Sequence, residues 1–174
     1  LKRANQDTKE IKEYAFTGCR NLNNITIPAG VTSIAGNAFY SCTSLTNITI
    51  DPANQVYEIE ETQPGIIYGK VNGVRTSLIM LAPMANEEIV RISEGITELG
   101  EAALSICKNM KKLELPSTLN NINGAAFIGI ELLEEIDFPE GNTKYTIEDG
   151  YLYANEGTEL IYVVPNKTEI NINE

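Results

Sequence analysis

The sequence predicts a β-rich α/β solenoid, built from repeats of about 23 residues with two inserted β-hairpin cassettes. The first observation is a motif that occurs four times, with copies starting at residues 11, 34, 99 and 122. The second is their spacing, because copies one and two are 23 residues apart, and so are copies three and four. The third is the 65-residue spacing between copies two and three, which is one repeat of 23 plus an insert of 42. We therefore expect residues 1–174 to form a single solenoid that is a fragment of a longer array.

Each repeat is predicted to contain a short helical segment, a strand and a return strand. Every copy has a small residue at offset +4 from its start, apolar residues at +5, +14 and +16, Cys or Ile at +8, and Leu or Met at +11. In the first copy these are Ala15, Phe16, Ile25, Ile27, Cys19 and Leu22. Offsets +4 to +11 have helical spacing, whereas +14 and +16 show the alternation of a strand. Proline follows the strand in three copies and ends it, because proline has no N–H to donate.

The two cassettes, residues 54–92 and 142–174, share one pattern and each begins 20 residues after a repeat start, so the chain has a super-period of 88 residues. The matching positions are Asn54, Tyr57, Gly65, Tyr68, Leu78 and Pro83 in the first, and Asn142, Tyr145, Gly150, Tyr153, Leu160 and Pro165 in the second. Each cassette is expected to contain a β-hairpin, and Asn72-Gly73 is a strong tight-turn signal in the first. Val90 and Ile92 are expected to be a return strand ahead of the third repeat, and Ile170 and Ile172 match them.

These motifs resemble the BspA-like leucine-rich repeat family of bacterial surface and secreted proteins. The pattern A-F-x-x-C-x-x-L-x-x-I-x-I-P-x-x-V-x-x-I is present at Ala15–Ile34 and, without the proline at its usual place, at Ala38–Ile50. The cassette pattern is also similar to segments between the repeats of such proteins, and the resemblance covers about residues 11–174. It implies a leucine-rich-repeat fold, an extracellular or cell-surface location, and an adhesion-like role in binding a protein or glycan partner.

Composition and charge argue against several classes of function. The formal net charge of −11 disfavours nucleic acid and anionic membranes, which select for basic surfaces. No apolar run approaches the ~20 residues that span a bilayer, so this segment is not expected to insert into a membrane. The chain has no His, the commonest proton carrier at neutral pH, and its paired acids, such as Glu134-Glu135, are interpreted as solvated surface. We therefore expect no enzyme activity, no catalytic residue, no cofactor and no bound metal.

The three cysteines are interpreted as core residues. Cys19, Cys42 and Cys107 all lie at offset +8, where the fourth copy has Ile130. Exchange with Ile indicates a buried apolar position, which suits a free Cys. A disulfide between Cys19 and Cys42 is not expected, because parallel side chains pointing into one core suit the disulfide dihedral of ~±90° poorly.

Exposed aromatic and polar side chains are the candidate partner-binding residues. Four cassette tyrosines recur at matching places and are expected to pack against the solenoid: Tyr57, Tyr68, Tyr145 and Tyr153. Tyr151 and Tyr162 alternate with apolar positions, so we expect them to face outward and to anchor a partner. Thr26 and Thr49 are expected to line an exposed strand face. The alternative function is a structural spacer that holds another domain off the cell surface, which a uniformly polar exterior would favour.

Overall fold

The computed structural model describes residues 7–61, 65–81, 87–105 and 107–167, and no helix occurs in this part of the chain. The strands are β1 (Glu10–Ile11), β2 (Asn24–Ile27), β3 (Ser33–Ile34), β4 (Asn47–Ile50), β5 (Tyr57–Ile59), β6 (Ile66–Val71), β7 (Val74–Leu81), β8 (Ile89–Arg91), β9 (Glu98–Leu99), β10 (Lys112–Glu114), β11 (Asn121–Ile122), β12 (Glu135–Asp137), β13 (Tyr145–Glu148), β14 (Tyr151–Ala154) and β15 (Glu159–Val163). Pro83, Ile170 and Ile172, which entered the cassette comparison, lie outside the described residues.

Parallel strands that are one repeat apart build the solenoid. The main sheets are β2–β4, where Ile25 lies beside Ile48, and β8–β10–β12, where Leu113 lies beside Ile136. Shorter parallel pairs, β1–β3 and β9–β11, form the return side of the turns. These partners are 23 residues apart in sequence, so each repeat makes one turn, and there are about five turns in all. The predicted solenoid of leucine-rich repeats is confirmed.

The segment predicted to be helical is instead a series of tight turns. In the first repeat, the N–H groups of Thr17 and Cys19 donate to the carbonyls three residues earlier, at 2.9 and 3.0 Å. Left-handed backbone at Tyr14 (φ 58°) and Gly18 (φ 66°) interrupts any right-handed helix, because L-residues do not continue a helix through that conformation. The helical spacing of the apolar residues is therefore met by consecutive turns that direct the same side chains to the core.

One turn of the solenoid was missed by the four-copy alignment. Val90 in β8 pairs with Leu113 in β10, which places it in a main sheet. The expectation that Val90 and Ile92 form a return strand is therefore wrong. The return strand of this turn is the second half of β7, where Leu78 pairs in parallel with Leu99 of β9. Strand β7 thus completes the first cassette and also opens the next turn of the solenoid.

The first cassette is the antiparallel part, β5–β6–β7, of a five-stranded sheet with the order β11–β9–β7–β6–β5, and apolar residues on both of its faces are buried. Ile67 and Met80 pack in the hydrophobic core of the first two turns, whereas Tyr68 packs in the core of the later turns. The sheet therefore separates two cores. Strands β6 and β7 are joined by Asn72 and Gly73, both left-handed (φ 51° and 79°), so the predicted tight turn is confirmed.

The second cassette forms a matching antiparallel sheet, β13–β14–β15. Leu152 belongs to the core of the later turns, and Tyr162 packs against that core with its ring stacked on Phe127 at 4.3 Å between centroids. Among the described residues, β15 is the last strand of this sheet. The second cassette therefore covers the last described turn.

Candidate binding surface

The outer face of the first main sheet is a ladder of uncharged polar side chains. In β2 and β4 the isoleucines Ile25 and Ile48 are buried, while Thr26 and Thr49 point to the opposite face. Parallel pairing in register places the two threonine hydroxyls 2.9 Å apart. Thr49 is exposed and Thr26 is half-buried. The structure brings the predicted threonine pair together on an open strand face, and its role in binding stays a prediction.

The second main sheet carries charges that pair with one another. Four ion pairs join neighbouring turns: Lys111–Glu88 (2.7 Å), Lys112–Glu135 (2.7 Å), Lys112–Asp137 (2.8 Å) and Arg91–Glu114 (2.6 Å). Hydrogen bonds to Asp137 and Glu135 raise the pKa of Lys112. Exposed ion pairs contribute little to stability, so their main effect is on the surface, where they compensate one another's charge.

A cleft of about 580 Å³ lies where the first main sheet meets the first cassette. Thr49, Glu58, Glu60 and Lys70 contribute to its lining. Lys70 pairs with Glu58 at 3.7 Å, and the Arg75 guanidinium pairs with both Glu58 and Glu60. Burial lowers the pKa of Arg75, but its pairing with the two carboxylates raises that pKa by more, so the guanidinium stays charged. The cleft therefore places the Thr26–Thr49 ladder next to the charged side chains of Glu58 and Lys70, and it is open to a polar group.

Tyr151 and Tyr162, the two predicted aromatic anchors, lie on opposite faces of the second cassette. Tyr151 is only 7% exposed, with its ring 6.1 Å from that of Tyr153 and 5.9 Å from Lys167 Nζ. Tyr162 is half-buried against Phe127, and burial raises the pKa of its phenol. The expectation that both face outward is wrong, because both faces of this sheet carry apolar residues and alternation does not identify a solvent face. A binding role for them stays a prediction, without the exposed rings that motivated it.

The recurring Asn-x-x-Tyr motif has a structural role. The side-chain amide of Asn54 donates to two backbone carbonyls of the preceding turn at 3.0 Å each, and its oxygen accepts from the Tyr57 N–H at 2.8 Å. The Tyr57 hydroxyl accepts from the Ile34 N–H at 2.9 Å. Asn142 binds the preceding turn in the same way and accepts from the Tyr145 N–H. The motif therefore fastens each cassette to the turn before it, and the expected packing of Tyr57 and Tyr145 is confirmed by their burial.

An exposed tyrosine pair, Tyr14 and Tyr40, was missed by the sequence analysis. Their side chains are 56% and 41% exposed, and their rings meet edge to face with centroids 6.5 Å apart. Tyr14 lies at offset +3 and Tyr40 at +6, and no other copy has an aromatic residue at either offset. Other copies have Asn37 at +3 and Thr17 at +6. The available signal was an aromatic residue at an offset where the other copies have smaller or aliphatic side chains.

The repeats also identify the chain by comparison with known families. Residues 3–63 and 84–173 match the family profile of the BspA type leucine rich repeat region, in six copies. The chain belongs to the BspA-type leucine-rich-repeat family. The resemblance carried by Ala15–Ile34 and Ala38–Ile50 is thereby confirmed. No curated protein matches this BspA-type chain.

Solved structures similar to this BspA-type chain are bacterial leucine-rich-repeat proteins. A leucine rich cell surface protein from Faecalibacterium prausnitzii A2-165 is 27% identical, with a TM-score of 0.64, and the match covers 77% of this chain and 34% of that protein. The pneumococcal vaccine antigen PcpA is also 27% identical, with a TM-score of 0.64, over 78% of this chain and 32% of that one. A leucine-rich repeat protein from Eubacterium ventriosum ATCC 27560, 24% identical over 80% of this chain and 36% of its own, shares the fold with a TM-score of 0.63. The chain therefore spans about a third of the length of these relatives.

The cysteines of this BspA-type chain are free, as predicted. Cys42 and Cys107 are buried, as predicted. The expectation that Cys19 is buried as well is wrong, because it is only half-buried at the margin of the first core. Burial raises the pKa of the Cys42 thiol and raises that of Cys107 to about 12, so both are poor nucleophiles at neutral pH. Within the described ranges, no three Cys, Asp or Glu side chains are grouped so that they could hold a metal ion. No helix in the described part of the chain is long and apolar enough to cross a membrane.

Proposed function

We propose that this BspA-type chain is a non-catalytic interaction module that binds an extracellular protein, either at the cell surface or in secreted form. The observation that carries the proposal is the exposed Tyr14–Tyr40 pair on the first two turns. Binding energy at protein interfaces concentrates in a few aromatic residues, and these two are not required by the repeat core. The ring planes are inclined by 87°, so the pair presents one ring face beside one ring edge to a partner.

Other features of the first two turns support the same function. The Thr26–Thr49 ladder and the adjoining cleft of about 580 Å³ give an uncharged strand face next to a charged corner. Extended surfaces of this kind are the ones that solenoids use for partners. The structural relatives described as a cell surface protein and a vaccine antigen support a surface location.

The test measures binding of the full chain to a panel of host extracellular proteins, with a glycan array run in parallel. In one variant, Tyr14→Asn and Tyr40→Thr introduce the residues that other repeats carry at these offsets, and Asn tolerates the left-handed backbone at position 14. The control is Ile128→Thr, because Ile128 is 55% exposed at the same offset as Tyr40 in the last repeat. A second variant, Thr26→Ala with Thr49→Ala, tests the strand face.

Loss of the tyrosine pair should weaken protein binding by about 30-fold, the equivalent of a ~2 kcal/mol hot spot, while the Ile128→Thr control binds normally. Equal binding by the wild type and the tyrosine variant would remove this surface from the proposal. Glycan binding that depends on the same tyrosines would replace the protein partner by a carbohydrate.

The spacer function is the second candidate, and the ion-pair ladder of the second main sheet favours it. There the charges of Lys111, Lys112 and Arg91 are compensated within the chain. If neither the protein panel nor the glycan array gives any binding, the spacer function is preferred.

A further inference from the structure

The main strands of the solenoid form two separate sheets. Strands β2 and β4 form one sheet and β8, β10 and β12 form the other, and among the described residues no strand joins β4 to β8. Within that part of the chain, β4 therefore pairs with a neighbour along one edge only, the edge that faces β2. An unpaired strand edge presents N–H and C=O groups that another extended chain can bind.

The backbone groups on the outer edge of β4 belong to Ile48 and Ile50. The N–H groups of Asn47 and Asp51 donate to carbonyls of the preceding turn at 3.0 and 2.9 Å, so these residues direct their backbone groups toward β2. Along a strand of a parallel sheet, successive residues direct their backbone groups to alternate edges. The N–H and C=O groups of Ile48 and Ile50 therefore point away from β2.

The cleft of about 580 Å³ lies along this outer edge. Residues 47–51 all line it, although successive side chains of a strand point to opposite faces. A cleft that meets both sets of side chains lies beside the edge of the strand and not over one face. Its lining also includes β5, Tyr57–Ile59, which is the last strand of its own sheet. The cleft is therefore located where the first main sheet ends.

The side chains of β4 do not protect its edge. Terminal strands commonly carry charged side chains that prevent pairing with another chain. At the two ends of the second main sheet, β8 carries Arg91 and β12 carries Glu135 and Asp137. Strand β4 has no charged residue, because its sequence is Asn-Ile-Thr-Ile. Its outer edge is therefore able to accept a further strand.

The charge of the cleft favours a basic occupant. Its lining contains four carboxylates and one ammonium group, which belong to Asp51, Glu58, Glu60, Glu61 and Lys70. Arg75 adds one positive charge, because its guanidinium pairs with Glu58 and Glu60. Two negative charges remain in excess, and complementary charge favours a segment that contains Lys or Arg.

We infer that the outer edge of β4 binds an extended, basic segment of a partner protein, which adds to the first main sheet as a third parallel strand. Parallel pairing continues the β2–β4 ladder in the same register. A threonine opposite Thr49 would repeat the Thr26–Thr49 contact, in which the hydroxyls are 2.9 Å apart. This site is separate from the Tyr14–Tyr40 pair that carries the proposed function.

The probe is a labelled peptide of four Thr-Lys repeats with blocked ends, titrated against the full chain at low ionic strength. When threonines lie opposite Thr49, they direct their N–H groups to β4, whereas the lysines direct theirs away. N-methylation of the threonine amides should therefore weaken binding at least about 10-fold, and N-methylation of the lysine amides should change it by less than about 3-fold. A peptide of Thr-Glu repeats should bind at least about 10-fold more weakly.

Substitutions in the chain locate the contact. Ile50→Pro removes an outward N–H and blocks the edge with the proline ring, at a position that a terminal strand tolerates. The matched control, Ile50→Ala, shortens the same side chain but keeps the N–H, so it should bind the peptide at least about 10-fold more tightly than Ile50→Pro. Glu61→Lys leaves the strand intact and should weaken binding about 5-fold, whereas Glu131→Lys, which is exposed but outside the cleft, should leave it unchanged.

Amide hydrogen exchange identifies the edge directly. In the free chain the amides of Ile48 and Ile50 should exchange faster than that of Thr49, and the peptide should slow them. The variant with Tyr14→Asn and Tyr40→Thr should bind the peptide normally, so the two sites are tested separately. Equal losses from both N-methylated peptides, no saturable binding at about 1 mM peptide, or Ile48 and Ile50 amides already protected in the free chain would overturn the inference. Self-association that Ile50→Pro abolishes would also overturn it, by assigning the edge to a second copy.

Discussion

Gly36 tests how closely the two halves of the solenoid approach each other, where the halves are the turns before the first cassette and the turns after it. A Cβ atom built on Gly36 would lie 1.7 Å from the backbone carbonyl oxygen of Glu101 and 2.9 Å from its carbon. Gly124 occupies the same offset, +2, in the last repeat, and a Cβ there meets nothing within 4 Å. Neither glycine has a left-handed backbone, so alanine is not strained at either place by its own conformation. The pair isolates the effect of the contact.

The expected cost follows from the overlap. Ordinary contact begins at 3.4 Å, so Gly36→Ala requires the Glu101 backbone to move by roughly 1.7 Å. Overpacking usually costs ~1–3 kcal/mol, and a backbone atom cannot rotate away, so we expect at least ~3 kcal/mol here. For a chain of this size that corresponds to a fall in melting temperature of roughly 6–12 °C. Gly124→Ala should stay within ~1 kcal/mol of the wild type.

The assay is urea unfolding followed by circular dichroism, with a thermal scan as a second measurement. The midpoint for Gly36→Ala should fall well below that of Gly124→Ala, with similar slopes if both variants unfold cooperatively. Equal stabilities for the two variants would show that the halves do not meet closely at Gly36, and would refute the packing described for this edge.

Three other predictions concern the packing of the core. Phe39→Ala should destabilise the fold by ~3–5 kcal/mol, because the ring is fully buried and stacks on Phe16 with the centroids 5.0 Å apart. The stability of Thr49→Ala should lie within ~0.5 kcal/mol of the wild type. Equal effects of the two substitutions in a denaturant titration would show that the inner and outer faces are reversed. Burial raises the pKa of the Cys107 thiol from 9.0 to about 12. Between these two pH values the thiol ionises in the unfolded chain but not in the folded one. The stabilisation that the buried thiol provides is therefore complete below pH 9 and is lost as pH rises toward 12. Cys107→Ala should flatten that alkaline decline in chemical unfolding, and an unchanged pH profile would contradict the burial. A thiol reagent at pH 8 should label half-buried Cys19 before Cys107.

The solenoid was predictable because its core is repeated in the sequence. Residues such as Ile25 and Ile48 pair directly in the structure, 23 residues apart, as the repeated offsets require. Apolar periodicity does not, however, report backbone handedness. The spacing of Phe16 and Cys19 is met equally well by a helix and by turns, and the left-handed glycines Gly18 and Gly129 at offset +7 were the available sign of turns.

The cassettes were harder to predict because one strand serves two structures. Strand β7 pairs antiparallel in a hairpin and parallel in the solenoid, so its sequence follows neither pattern alone. Because of that dual role, the repeat alignment did not detect the third turn around Val90, and the cassette was predicted to be a separate hairpin. Tyr151 and Tyr162 were wrongly predicted to face solvent because both faces of the second cassette carry apolar residues. Strand alternation identifies a solvent face only when one face is polar.

The exposed candidates were predictable only in part. Thr26 and Thr49 follow from the alternation of the main strand, where one face is apolar and the other polar, and they lie as expected. Tyr14 and Tyr40 required a search for residues that depart from the repeat pattern. Such a search asks which aromatic side chains the core does not need.

The sharing of β7 between a hairpin and a turn also limits how an array of this kind can lengthen by gene duplication. Within the β8–β10–β12 sheet a unit of 23 residues can be copied or lost, because β10 pairs with an equivalent strand on each side. At the cassette, deletion of one turn would also remove the third strand of the β5–β6–β7 sheet, and it would uncover the face of β6 that packs on the later turns. The unit whose duplication keeps each of these strands paired is the 88-residue block, which is the longer repeat period of the sequence.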